Sequence, residues 1–187
     1  QSRISAQIIG TQVSISMGSL RSMQIFVLGE AFKPGAYTVS SLSTITHALV
    51  SSGGVSDIGS LRTIQLKRQG KLVATLDLYD LLLAGDTSKD VRVQAADVIY
   101  IPTVGELVSV EGQVLRPAIY ELMGGESVGD LVNLAGGFGL KAFPASSKLE
   151  RINKDGFMTV LDLSLDQSKD MDVTLQAGDH LIIDAIS

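Results

Sequence analysis

The chain has 187 residues, of which 45% are apolar, 5% aromatic and 19% charged, with a formal net charge of -5 and neither cysteine nor tryptophan. This composition excludes intrinsic disorder, and the missing cysteines exclude disulfides, thiolate metal sites and a cysteine nucleophile. No apolar run reaches the length of a membrane-spanning helix, and the N-terminal residues lack the pattern of a signal peptide.

An internal repeat organises the chain. Residues 24–39 match residues 107–122 at a spacing of 83, and residues 48–55 match residues 131–138 at the same spacing. Small drifts in the spacing further on are typical of surface loops. We therefore predict a leading segment at 1–22, a first module at 23–103 and a second module at 104–187.

The leading segment contains one strand-like stretch. Residues 12–17 alternate polar and apolar side chains, which is the period of a half-buried strand. We expect this strand to pair with one of the modules or to belong to a domain outside this chain. Since residue 1 is Gln, we also expect the chain to be part of a longer protein.

Each module then begins with a strand, a proline turn and a returning strand. In the first module the strands are predicted at 24–28 and 36–39, joined by a turn at 33–35. Proline presets one turn position and glycine accepts positive φ at the next, so Gly35 is expected in that conformation. Ala118 stands at the matching position of the second module, and we expect the two turns to differ.

A helix is predicted next, because apolar side chains recur at i, i+3, i+4 and i+7 within residues 45–52 and 128–135. Ser43 and Glu126 lie near the two starts, where an acceptor or a negative charge suits the unpaired amides. A pair of glycines follows each helix and predicts a left-handed stop.

The rest of each module reads as a hairpin and a closing strand. The hairpins, the helical turn of the first module and its closing segments are predicted at 63–68 with 71–76, 148–152 with 157–161, 79–83, 91–94 and 98–102. A mainly antiparallel sheet packed on one helix is an α+β arrangement, so we predict two such modules in tandem.

Charge separates the two modules. Residues 23–103 carry seven basic and seven acidic side chains, whereas residues 104–187 carry six basic and thirteen acidic ones, a net charge of -7. Proteins that bind nucleic acid or anionic membranes concentrate Lys and Arg on one face. We therefore expect neither partner.

Catalytic histidines are not indicated. His47 and His180 occupy unlike positions, and the repeat places Asp130 and Val98 opposite them. A catalytic His shared by the repeats would be kept in both copies, so we expect surface or structural roles.

Other signals of chemistry are also weak. Asp166, Asp170 and Asp172 form the densest acidic cluster, but the glycine and terminal Glu of a calcium-binding loop are missing. We interpret this segment as a solvated loop. Neither a phosphate-binding glycine loop nor a nucleophile elbow occurs. The sequence therefore predicts no catalytic residue, no metal site and no cofactor.

Taken in order, these motifs resemble a known domain. Gly-x4-Pro-Gly-x-Tyr, then Ala-Leu-x3-Gly-Gly, a hairpin and Gln-Ala-x-Asp-x-Ile-x-Ile-Pro resemble the soluble-ligand-binding β-grasp (SLBB) domain. Over residues 23–187 the chain is similar to the tandem SLBB domains of bacterial outer-membrane polysaccharide export proteins. Departures are Ala118 and Ala96 in place of glycine and the missing proline after Ile183. The residues that carry the pattern are Gly29, Pro34, Gly35, Gly53, Gly54, Asp97, Gly112, Pro117, Gly136, Gly137, Gly178 and Asp179.

The resemblance implies a non-enzymatic role in the export of capsular or extracellular polysaccharide. Family members assemble into rings whose stacked SLBB domains line a periplasmic conduit. By this likeness the chain is expected in the periplasm, attached to the outer membrane through other parts of the full-length protein and not touching the membrane itself. The implied partners are the exported polysaccharide, further copies of the protein and an inner-membrane polysaccharide copolymerase.

Two alternatives stay open. The first is a periplasmic module that binds a saccharide or small ligand and regulates export, with Lys33, Tyr37, Arg116 and Tyr120 as candidate ligand-binding residues. Against it, a tyrosine after a turn is more often a packing residue whose hydroxyl reaches solvent. The second is an SLBB module of a different system, such as a quinone-oxidoreductase subunit.

Overall fold

The computed structural model describes residues 21–187, so the strand predicted at 12–17 and nearly all of the leading segment lie outside the described residues. The first module consists of β1 (Ser22–Gly29), β2 (Gly35–Ser40), α1 (Ile45–Ser51), β3 (Ile64–Arg68), β4 (Lys71–Leu76), α2 (Leu78–Ala84) and β5 (Val98–Ile101). The second consists of β6 (Leu107–Gly112), β7 (Ala118–Glu121), α3 (Val128–Leu134), β8 (Ala142–Ile152), β9 (Met158–Leu163), α4 (Ser168–Met171) and β10 (His180–Ala185).

The two sheets have the same strand order. It is β2-β1-β5-β3-β4 in the first module and β7-β6-β10-β8-β9 in the second. All neighbouring strands are antiparallel except β1 with β5 and β6 with β10, which are parallel. The predicted α+β fold with two mainly antiparallel modules is confirmed. Among the described residues no helix is long and apolar enough to cross a membrane.

Each module has its own hydrophobic core. Helix α1 buries Ile45, Ala48 and Leu49 against the first sheet, and α3 buries its matching residues against the second. Burying one such Leu or Ile side chain contributes about 1.5–3 kcal/mol. Because helices of seven residues are marginal in isolation, this apolar face holds them in place.

Two glycines permit the close approach of the parallel strands. Gly29 ends β1 with φ 78°, and Gly112 ends β6 with φ 84°. A Cβ atom would lie 2.2 Å from the carbonyl oxygen of Ile101 at the first position and 2.1 Å from that of Ile183 at the second. Any other residue would push β5 or β10 away from its partner strand.

The proline turns differ from the prediction. Gly35 does not adopt positive φ; it is the first residue of β2, and Ala118 is the first residue of β7. Extended backbone suits alanine as well as glycine. The replacement of glycine by Ala118 therefore causes no strain.

Both main helices begin with a capping box. Thr44 and Ser127 are the N-caps, and the side chain of each accepts a hydrogen bond from the amide of the third helical residue. That third residue is His47 in α1 and Asp130 in α3, and its side chain accepts the N-cap amide in return, at 3.2 Å and 2.9 Å. His47 and Asp130, although chemically different, therefore both complete a capping box.

The helices begin at residues 45 and 128, as predicted. Ser43 and Glu126 each precede the true cap, and Ser43 is buried. The helix ends are as the glycine pairs indicate. Gly54 and Gly137 have φ 87° and 91°, and their amides donate to the carbonyls of residues 49 and 132 at 2.8 Å in both cases. This is the hydrogen bond of a Schellman stop.

Three other predictions need correction. Strand β8 begins at Ala142, six residues before the predicted 148. Residues 91–94 are not a strand; Arg92 forms a single bridge with Thr44. Residues 166–172 are not only a loop, because they contain helix α4.

Candidate functional site

The two tyrosines predicted to bind ligand each form a hydrogen bond with the turn that precedes them. The hydroxyl of Tyr37 donates to the carbonyl of Lys33, and that of Tyr120 donates to the carbonyl of Arg116 at 2.7 Å. Tyr120 is 6% exposed and belongs to the core of the second module, whereas Tyr37 is half-buried. Both hydroxyls therefore have a structural partner four residues back.

The basic residues of the same turns are exposed. Lys33 lies with Nζ 5.8 Å from the ring centroid of Phe32. Arg116 donates from Nη2 to the carbonyl of Leu134 at 3.1 Å, where a positive charge suits the C-terminus of α3. A ligand-binding role for the four residues stays a prediction.

Two aspartates of the repeat motif hold the loop before the closing strand. Asp97 and Asp179 are 0% and 1% exposed. The Asp97 carboxylate accepts hydrogen bonds from Nε and Nη2 of Arg68, both at 2.8 Å. The Asp179 carboxylate accepts hydrogen bonds from the same atoms of Arg151, at 2.9 and 2.6 Å. The hydrogen bond to each aspartate raises the pKa of its arginine. These are structural clamps, and their arginines, 83 residues apart, had not been singled out from the sequence.

The segment between the modules is hydrogen-bonded on both sides. The amide of Ser60 donates to the carbonyl of Pro102, and the amide of Val104 donates to that of Ile58, both at 2.8 Å. On the other side the amide of Leu122 donates to the carbonyl of residue 106 at 2.8 Å. The connection is therefore not a flexible linker.

One carboxylate of the second module is inserted into the first. Glu121 is 3% exposed and accepts hydrogen bonds from Ser60 Oγ at 2.7 Å and from the amides of Leu61 and Gly105, both at 3.0 Å. Buried charged groups persist where their hydrogen-bonding capacity is met, as here. The repeat places Thr38 opposite Glu121, so this contact is not part of the shared fold.

Arg62 of the first module reaches into the second. Its Nε pairs with Asp77 at 3.0 Å, and its Nη1 pairs with Glu126 at 3.0 Å and with the carbonyl of Glu121 at 2.9 Å. The side chains of Arg62 and Glu126 are only 12% and 15% exposed. A partly buried, forked contact of this kind fixes geometry better than a surface ion pair.

Glu126 is strongly held in its charged form. Burial acts to raise its pKa, but hydrogen bonds from the amides of Met123, Glu126 and Gly124, together with the charge of Arg62, outweigh burial and lower the pKa below its ordinary value. The carboxylate is therefore ionised whenever the protein is near neutral pH.

Tyr79 completes the contact. Its hydroxyl oxygen accepts a hydrogen bond from the amide of Glu121 at 2.9 Å. Its ring packs edge-on against the ring of Tyr120, with 6.1 Å between the ring centroids. The guanidinium of Arg62 lies 4.7 Å from the Tyr79 ring centroid. Burial raises the pKa of the Tyr79 hydroxyl. We call the set Ser60, Arg62, Tyr79, Glu121 and Glu126 the module junction.

A cavity opens beside the module junction, between helix α2 of the first module and α3 of the second. Its volume is about 380 Å³. Leu83 and Leu134 supply apolar lining, and Arg116, Asp130 and Asn133 supply polar groups. We call this cavity the inter-module cleft. Of the four residues predicted to bind ligand, Arg116 alone lines it.

A serine, a histidine and a glutamate meet on the second sheet. Ser109 Oγ lies 2.6 Å from His180 Nδ1, and Glu111 lies 3.2 Å from Nε2. Hydrolysis would also require amide donors for an oxyanion, but the amide of Ser109 is engaged with the carbonyl of Asp179 at 2.9 Å.

Within residues 21–187 no group of three or more His, Asp or Glu side chains could hold a metal ion.

Comparison with known families agrees with this architecture. The SLBB domain family matches residues 107–162, and a second SLBB domain family matches residues 23–101. The chain therefore carries two SLBB domains in tandem. SLBB domains are binding or transport modules rather than catalytic ones, and they are found in polysaccharide export proteins.

Proposed function

We propose that this pair of SLBB domains is a non-catalytic structural module of a polysaccharide export translocon and forms part of an oligomeric periplasmic conduit for capsular or extracellular polysaccharide. The observation that carries the proposal is the module junction. It joins two copies of a transport-associated domain into one body through contacts that the repeat itself does not supply.

A fixed junction suits a conduit wall. Domains joined by small polar interfaces normally move relative to each other. Here the buried carboxylate of Glu121, the two-sided contact of Arg62 and the bonded connecting segment oppose that motion. A wall built from many copies needs each copy to hold one shape, because heterologous contacts close into a ring only at a constant angle.

The chemistry of the described residues also supports a passive role. His47 serves a helix cap, and the buried aspartates Asp97 and Asp179 are occupied by arginines. Catalytic groups often have shifted pKa values in a cleft. Tyr79 and Glu126 line the inter-module cleft and have shifted pKa values, but both are engaged in the module junction, with the amide of Glu121 and with Arg62. Any enzymatic step in the pathway would then belong to partner proteins.

The proposal includes three partners. They are the polysaccharide in transit, other copies of the full-length protein and an inner-membrane polysaccharide copolymerase that delivers the polymer. Self-association is supported by domain size, since cores of about 80 residues gain stability from burial against neighbours. The acidic second module gives an export path little attraction for anionic lipid or nucleic acid.

Removal of the two domains in the host cell tests the function. The part of the gene that encodes residues 23–187 is deleted in frame, and surface polysaccharide is measured together with polymer retained in the cell. We expect surface polymer to be lost and retained polymer to rise. Unchanged surface polymer at normal protein level would overturn the proposal.

Sedimentation of the purified full-length protein tests the assembly. We expect a closed oligomer of defined mass. A strictly monomeric full-length protein at micromolar concentration would contradict the conduit.

A further inference from the structure

We infer that the inter-module cleft is a weak subsite for a short, uncharged segment of a saccharide chain. This inference rests on the proposed function, which supplies the polymer, but the site itself is argued from its own lining. The cleft was not evident from the sequence, because its two walls come from different modules.

The size of the cleft suits a short saccharide segment. Ligand sites in proteins span about 300–1,000 Å³, and this one, at about 380 Å³, lies at the small end. A groove of this size engages a short stretch of a passing chain rather than enclosing it. Binding is therefore expected to be weak and quickly reversible.

The lining offers both donors and acceptors. Arg116 uses Nη2 on the carbonyl of Leu134, which leaves its other guanidinium N–H groups available. Asp130 uses Oδ2 in the helix cap, while its Oδ1 accepts no hydrogen bond from the described residues. The Asn133 side chain is likewise exposed and makes no hydrogen bond within residues 21–187. Neighbouring sugar hydroxyls both donate and accept, and they match such a set.

Apolar groups face the same space. Leu83, Ala84 and Leu134 line the cleft next to the polar side chains. The C–H faces of a sugar ring can pack on these groups while its hydroxyls bond to the polar side chains. The mixture distinguishes the cleft from a purely ionic site.

The charges in the cleft favour an uncharged ligand. The single positive charge of Arg62 faces two carboxylates, Asp77 and Glu126, and Asp80 is paired with Lys89 at 3.4 Å. Arg116 and Asp130 remain and carry opposite charges. The surrounding module has a net charge of -7, so a polymer of uronic acids would be repelled over the distance that salt does not screen.

The other side of helix α2 provides an internal control. A second cavity of about 240 Å³ lies there and is lined by Leu49, Val50, Leu81 and Leu82. Val50 is the residue that matches Asn133 in the repeat. Apart from the Thr46 hydroxyl, its side-chain lining is apolar, so it offers a sugar few hydrogen bonds, although it involves the same helix.

Titration by nuclear magnetic resonance tests the inference. The labelled 187-residue chain is titrated with neutral tetrasaccharides of glucose, mannose and galactose, and with tetragalacturonate. We expect at least one neutral tetrasaccharide to shift amides of residues 130–134 and the Arg116 side chain, saturating with Kd on the order of 1 mM or weaker. Tetragalacturonate should bind at least several-fold more weakly.

Two variants locate the site, and a third is the control. Asn133→Phe fills the cleft, and Arg116→Gln removes charged donors without filling it. Both should abolish or strongly reduce the shifts while the remaining spectrum stays that of the folded protein. Val50→Phe should leave the shifts unchanged.

The inference is overturned if none of the neutral tetrasaccharides shifts these residues, if Asn133→Phe retains binding, or if tetragalacturonate binds more tightly. The titration fails separately from the proposed function. Binding without any export defect on domain deletion would contradict the export role and not the subsite, whereas an export defect without binding would contradict the subsite alone.

Discussion

Replacement of Glu121 by alanine should weaken the whole chain through the module junction. The carboxylate meets three donors, and the substitution leaves them without their acceptor in a site that is 3% exposed. Each unsatisfied buried donor costs about 1–3 kcal/mol, and partial entry of water reduces the sum. We expect a loss of about 3 kcal/mol, a large part of the 5–15 kcal/mol typical of a domain.

Urea unfolding followed by circular dichroism measures this loss. The matched control is Thr38→Ala, which changes the same repeat position, here an exposed residue of β2, and should alter stability by about 0.5 kcal/mol or less. A double-mutant cycle of Glu121→Ala with Ser60→Ala isolates the contact at 2.7 Å. Its coupling energy should lie at about 1–2 kcal/mol.

Two results would refute this reasoning. A loss below about 1 kcal/mol for Glu121→Ala would show that the buried carboxylate does not hold the modules together. A coupling energy near zero with Ser60 would show that the contact between the Ser60 hydroxyl and Glu121 does not help to join the modules.

Three further predictions concern the repeat and the junction, each measured by urea unfolding. Ala96 has φ 66°, so Ala96→Gly should stabilise by about 0.5–1 kcal/mol, whereas Gly178→Ala, at φ 83°, should destabilise by about 1 kcal/mol; equal signs would contradict this. Arg151→Ala leaves Asp179 buried and unpaired and should cost about 3 kcal/mol; a loss under 1 kcal/mol would argue against the clamp. Because the folded pKa of Glu126 is lowered, its contribution is present above the unfolded glutamate pKa and is lost as pH falls through the folded value. Glu126→Gln should flatten stability across that acidic window, and an unchanged pH profile would be inconsistent with a lowered pKa.

The sequence was informative where side chains follow a strict period. The first hairpin was predicted at 63–68 and 71–76, and β3 and β4 occupy almost the same residues. Strand β8 was predicted too short, because its first six residues, apart from Phe143, are small or polar and include Pro144, which breaks the alternation. Proline is tolerated there because the register of β8 with β10 is irregular at that end.

A comparison of the features that the two copies share could not predict the module junction, because the junction residues differ between the copies. Ser60 and Glu121 are 61 positions apart, and no local pattern links them. The informative signal was the opposite one. Glu121 and Glu126 stand where the first copy has Thr38 and Ser43, so charged residues that only one copy carries are candidates for the contact surface, although Glu111, opposite Leu28, is such a residue and lies outside the junction.

If a fixed pair of SLBB domains serves polysaccharide export, variants that weaken the module junction should export less polysaccharide in the host. Cells that lack the gene are complemented with the wild-type gene, Glu121→Ala or Thr38→Ala, and surface polysaccharide is compared at equal protein level. We predict full export with the wild-type gene and Thr38→Ala and clearly reduced export with Glu121→Ala. Equal export by Glu121→Ala and Thr38→Ala would show that export does not depend on the module junction.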